Sequence, residues 1–197
     1  MSPMTDTPTT SSSESRRFPD MWVDPQDDPR EQWSDPVGEL QTHWSYLRTY
    51  RATLEMKCEG LDAEQLARRS VPPSTLSLLG LVRHLAGVEH SWFRRVLQGQ
   101  PELPKLYAAD GGPDAPFDGA VADPAVVDQA WEAWRRETAA ADAWLATQTD
   151  ADMARDVPFD GGSTPVRDIL EHLVEEYARH LGHADLLREC IDGRTGQ

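Results

Sequence analysis

Glu176 and His180 stand four residues apart, a spacing that puts both side chains on one face of an α-helix. Leu173, Ala184 and Leu187 mark that face as buried. An ionised carboxylate and an unpaired imidazole are costly in an apolar seam. A divalent cation offsets the cost, because it favours carboxylate and neutral imidazole. A third donor is available in His84, whose neighbours at minus four and plus three are Gly80 and Gly87, with Ser91 one turn further along. The glycines leave room around the imidazole. His84, Glu176 and His180 make a His₂–carboxylate set with open coordination positions, which suits catalytic zinc, with nickel, iron or manganese as alternatives. His172 precedes Glu176 by four residues and His183 follows it by seven, so either could replace a ligand. Two plainer arrangements fit the same residues. His84 could be hydrogen-bonded in a polar core, with the glycines serving helix packing. Glu176 and His180 could be a surface ion pair worth under ~1 kcal/mol.

Four helical patterns must position these residues. The first covers about 36–58, with Val37, Leu40, Trp44, Leu47, Leu54 and Cys58 on its face and Asp35-Pro36 as its start. The second covers about 75–98 and carries His84 on a broad apolar stripe. Residues 99–122 are rich in Gly, Pro and Asp and read as a long connection. A tight turn would need only ~2–8 residues, so this loop is expected to cross over. The third helix starts at Asp123-Pro124, with Trp131, Trp134 and Trp144 on its face as core or dimer contacts. The fourth starts near Ser163-Thr164-Pro165 and ends near Gly193. No segment shows a strand period. The halves echo each other weakly, since Ala63–Arg68 and Ala151–Arg155 each precede a Ser-Thr helix start and a His-Leu pair. Two related helical hairpins predict an all-α four-helix bundle over 36–193.

Composition narrows the partners. Lys and Arg number 19 against 34 Asp and Glu, a formal charge of −15 over 197 residues. That excludes nucleic acid and anionic membranes as expected partners. No apolar run approaches the ~18 residues of a membrane span, and no secretory segment is visible. With only two cysteines, Cys58 and Cys190, a soluble cytoplasmic protein is expected. Residues 1–35 are expected to form a disordered or loosely packed tail. Within it Phe18, Met21, Trp22 and Trp33 are apolar enough to strap onto the domain or to touch a partner. Residues 194–197 read as a short C-terminal tail.

Two motifs, in order, carry a resemblance. Pro73-Ser74-Thr75-Leu76-Ser77-Leu78-Leu79-Gly80-Leu81-Val82-Arg83-His84-Leu85 and the segment from Glu175 to Glu189, containing Glu176, His180, Gly182 and His183, are similar to the DinB/YfiT-like superfamily. The match is closest to its actinobacterial mini-circle-type branch and spans about 35–193. The resemblance implies an up-down-down-up four-helix bundle, with a divalent metal held by a His on the second helix and two residues one turn apart on the fourth. Many members show His-x-x-x-His there. Glu176 takes the first position in this chain, as in the mycothiol-dependent maleylpyruvate isomerase branch. His183 stands where many members have Gln, as a residue that orients a ligand or carries a proton. The isomerase branch has a further C-terminal domain, and this chain ends soon after the fourth helix, which argues against isomerisation itself.

Family members of known activity mostly use low-molecular-weight thiols such as mycothiol or bacillithiol. The implied function is activation of such a thiol for transfer to a small electrophile. A metal-bound water attacking a substrate would make the protein a hydrolase instead. A non-catalytic metal-binding or stress-related helical module is the alternative outside enzymes. Glu89 is weighed as a proton carrier or a solvated helix residue. Arg83 and Arg179 are weighed as anchors for an acidic co-substrate or as surface charges. A homodimer is compatible with such a bundle.

Overall fold

The structure is a computed structural model that describes residues 20–33, 35–108, 111–112 and 114–197. The described chain is mostly helical. Its elements are α1 (Glu39–Cys58), α2 (Ala63–Ala67), α3 (Leu78–Glu89), α4 (Ala115–Asp118), α5 (Pro124–Leu145), β1 (Asp156–Phe159), β2 (Gly162–Pro165) and α6 (Val166–Asp192). A π-helical stretch, His90–Leu97, continues α3 without a break. Along the four long helices α1 packs on α6, α3 packs on α5, and α3 also meets α6. Leu47, Leu54, Leu85, Leu145, Leu173 and Tyr177 are fully buried between them.

The helix boundaries follow local chemistry. Asp123 caps α5, accepting from Ala125 N at 2.8 Å, with Pro124 in the first turn. Gly193, in the left-handed conformation at φ 77°, closes α6. The first helix starts later than its sequence pattern suggests. Val37 is exposed, and Gly38 is the cap residue at φ 89°. The cap group comes from far along the chain, because Asp150 Oδ1 accepts from Leu40 N at 2.9 Å. No local pattern announces such a cap. The second helix starts at Leu78 rather than 75, since Ser77 accepts from Gly80 N at 3.1 Å.

Two expectations need correcting. The chain is mostly helical as expected, but a strand pair appears where no strand period was read: β1 and β2 form an antiparallel hairpin with Phe159 opposite Gly162. Asp160 and Gly161 connect them with φ of 48° and 77°, the left-handed pair that an Asp-Gly turn supplies. The 99–122 connection also contains the one-turn α4. A further short helix, α2, follows from a capping box in which Asp62 accepts from Gln65 N and Gln65 accepts from Asp62 N.

Side chains of α3 and its π continuation tie down the long connection. Arg95 donates to Leu103 O and Pro101 O, His90 Nε2 lies 3.0 Å from Pro104 O, and Arg83 donates to Pro116 O. These bonds fix one wall of the cleft described below.

At the opposite end, Trp22 is buried. Lys57 and Arg194 lie over its ring at 3.9 and 3.8 Å. Its backbone N–H donates to Gln197 O, and Gln197 N–H donates back to Asp20 O. Met21 and Trp33 are half-buried, and Phe18 lies outside the described residues.

Candidate metal centre

α3 and α6 bring three donors together. His84 Nε2 lies 3.3 Å from Glu176 Oε2, and His180 Nε2 lies 3.4 Å from the same oxygen. One donor atom from each of His84, Glu176 and His180 falls within 4.8 Å of the others. Glu176 and His180 sit at the edge of the apolar seam rather than in it, half-buried beside Leu173 and Tyr177. The separations are long for N–H···O hydrogen bonds. They match the edge of a tetrahedron of ligands about 2.0–2.1 Å from a central ion, which is about 3.4 Å. The donor set therefore fits a divalent metal. The imidazoles of His180 and then His84 hold the Glu176 carboxyl well below the usual carboxylate range, against partial burial that pushes it upward. An acceptor that stays ionised suits a cation.

The two glycines beside His84 do different things. A Cβ at Gly80 would fall 2.9 Å from Phe117 Cδ1, so Gly80 makes space for Phe117. The Phe117 ring stacks on His84 with centroids 5.2 Å apart. A Cβ at Gly87 would meet nothing within 4 Å. Gly87 instead opens onto a cleft of about 560 Å³. His84, Ser91 and Trp92 form one side of this cleft, and Lys105, Leu106 and Tyr107 form another.

His183 comes close to the group through His180, with the two Nδ1 atoms 3.4 Å apart. Burial lowers its pKa first, helped by the nearby His180 and Arg179. His172 lies on the other side of Glu176, with Nε2 3.5 Å from Oε1.

Glu89 is neither solvated nor placed to carry protons outward. It is fully buried, accepts from Arg51 Nε and Nη2 at 2.8 Å each, and accepts from the Tyr177 hydroxyl. Tyr177 in turn accepts from Trp134 Nε1. The helical period of α3 could have flagged this position, since Leu85 and Ala86, four and three residues before Glu89, mark the same face as buried. Arg83 is not a surface charge either. It is buried, bonded to Pro116 O, with its guanidinium 4.0 Å from the Tyr107 ring centroid. Arg179 is exposed. Cys58 is buried and its thiol is pushed up to about 12, while Cys190 is exposed.

Residues 42–193 match the family described as MST, mycothiol-S-transferase. The match covers most of the chain, and the chain belongs to that family, which is DinB/YfiT-like. Among curated proteins none matches. No helix among the described residues is long and apolar enough to cross a membrane.

Proposed function

We propose that this protein is a divalent-metal-dependent thiol S-transferase that joins mycothiol, or a thiol like it, to a small electrophile. His84, Glu176 and His180 hold the ion, with zinc favoured over nickel, iron and manganese. The observation that carries this reading is the convergence of the three donors beside an open cleft, in a chain of the mycothiol-S-transferase family. The packing of α1 on α6 and α3 on α5 supports an up-down-down-up four-helix bundle, with 99–122 as the crossover. Two unpaired cysteines support a cytoplasmic location.

A divalent ion at this position supplies a positive charge that favours thiolate over thiol at neutral pH. Glu176 contributes an ionised oxygen, Oε2, and His84 and His180 contribute Nε2 lone pairs. That use of His180 Nε2 leaves its proton on Nδ1, which donates to His183 Nδ1. His183 thereby orients His180, and its exposed ring can pass a proton to water. In the reaction the thiol loses its proton and a sulfur–carbon bond forms; either a leaving group departs with the bonding electron pair, or a double bond takes the sulfur on one carbon and the thiol's proton, returned through water, on the other. The protein's own sulfurs are poorly placed for this step, because Cys58 is buried with its thiol pushed up to about 12 and Cys190 lies outside the donor group. Trp92, Leu106 and Tyr107 offer the electrophile apolar walls.

Metal content of the purified protein, measured with Glu176→Ala and His84→Ala variants, tests the site. About one ion per chain is expected in the wild type, lost in both folded variants. S-transfer from mycothiol to a chromogenic halide should depend on that ion. A metal-free protein that takes up no zinc, nickel, iron or manganese and still transfers the thiol would refute the reading.

A further inference from the structure

The two oxygens of Glu176 face opposite ways. Oε2 meets His84 and His180, whereas Oε1 meets His172 Nε2 at 3.5 Å. His172 lies one turn before Glu176 on α6 and is outside the converging donor group. One aromatic ring backs it, and a second packs on the first. The Trp92 ring meets the His172 ring edge-on with centroids 4.8 Å apart, and Phe159 of β1 packs on Trp92 at 5.1 Å. A line of contacts thus runs from the hairpin, through the π-helical stretch, to one oxygen of the candidate ligand.

We propose that His172 is a positioning residue: backed by Trp92 and Phe159, its Nε2 faces the Oε1 side of Glu176 within ion-pair distance and occupies that side, so that the carboxylate offers a metal Oε2 alone. Carboxylates bind cations through one oxygen or two. Restraining Oε1 keeps a coordination position open for an incoming thiol. The hairpin, which the bundle does not require, gains a purpose as the backing of this contact. The inference rests on the metal reading above and concerns how the ligand is aimed. Partners of this kind, behind a ligand, are worth roughly 10–100-fold in metal affinity.

Cobalt(II) titration of the full chain tests it, followed by visible absorption and by competition with a chelator. Wild type, His172→Ala and His172→Gln are compared, with circular dichroism as the folding control. His172 is partly exposed, so neither variant opens the core. His172→Ala is expected to bind cobalt roughly 10–100-fold more weakly. Its visible band should also weaken as the freed oxygen raises the coordination number. His172→Gln, whose amide nitrogen reaches the same oxygen, is expected to recover most of both. An Ala variant indistinguishable from wild type overturns the proposal, as does a Gln variant no better than Ala. A wild type that binds no cobalt overturns the metal reading itself, and this inference with it.

Discussion

The Tyr177 hydroxyl donates to Glu89 Oε1 at 2.8 Å, while the preceding residue, Glu176, turns its carboxylate to His84 and His180. One step along α6 rotates the side chain by about 100°. Two polar groups therefore share α6 without sharing partners. The Glu89 group is sealed in the core with Arg51, and the Glu176 group borders the cleft region. Removing one member of a buried pair costs about 3–5 kcal/mol where the other charge is left uncompensated, but Arg51 Nη1 also lies 2.7 Å from Asp142 Oδ1 and keeps that partner. With Asp142 still paired to Arg51, Glu89→Gln should lower unfolding free energy by about 1–3 kcal/mol in denaturant titrations and leave metal content intact. Glu176→Gln should do the reverse, abolishing metal uptake with a small change in stability. A Glu89→Gln protein of normal stability would show that the core pair adds nothing net.

The acid limb of stability should depend on Glu137. Burial pushes its carboxyl upward, but hydrogen bonds from Arg94 and Arg136, with His90 behind them, bring it below the ordinary value of 4.5. A carboxyl whose folded pKa is depressed contributes stability above its unfolded pKa. That contribution is lost as pH falls through 4.5 toward the folded value. Glu137→Gln should be less stable than wild type at pH 7 and lose less on acidification, seen as a shallower slope of stability against pH below about 5. Parallel slopes would assign the acid limb to other carboxylates.

How much of this was legible beforehand depends on the range of the interaction. The α5 start at Asp123-Pro124 and the α6 stop at Gly193 are local signals, and both are readable from neighbouring residues. The pairing of His84 with Glu176 and His180 was expected from helical spacing and from the family resemblance together. Asp150 capping α1 was not, because the acceptor lies 110 residues from its donor. Asp160-Gly161 was a visible hairpin signal that the surrounding Ser-Thr-Pro helix start masked. Glu89 shows the limit of reading one helix alone. Its role depends on Arg51 and Tyr177, which arrive from α1 and α6.

Gly80 and Gly87 flank the same imidazole, yet alanine should affect them in opposite directions. At Gly80 the added Cβ would collide with Phe117 and displace the ring that stacks on His84. Overpacking of this kind costs about 1–3 kcal/mol. At Gly87 the Cβ enters open space, and alanine is a better helix former by ~1 kcal/mol. Thermal melts should therefore drop for Gly80→Ala and rise for Gly87→Ala. The second variant also narrows the cleft beside His84, so KM for the electrophile should rise while metal content stays normal. A Gly87→Ala enzyme with unchanged KM would place the substrate elsewhere.

The nucleophilic sulfur can be traced by removing the protein's own. Cys58 is sealed between helices with its thiol pushed up to about 12, so at neutral pH it carries almost no thiolate. Cys190 is exposed near the end of α6, outside the donor group. Native protein treated with a thiol-specific alkylating reagent should be modified at Cys190 alone, as peptide mass spectrometry would show, with Cys58 reacting only after unfolding. A Cys190→Ser variant should keep full S-transfer activity. A Cys58→Ala variant should lose stability through the packing it gives up, without a change in kcat per folded molecule. Loss of turnover in folded Cys190→Ser would mean that the chain, and not the small thiol, first receives the transferred group.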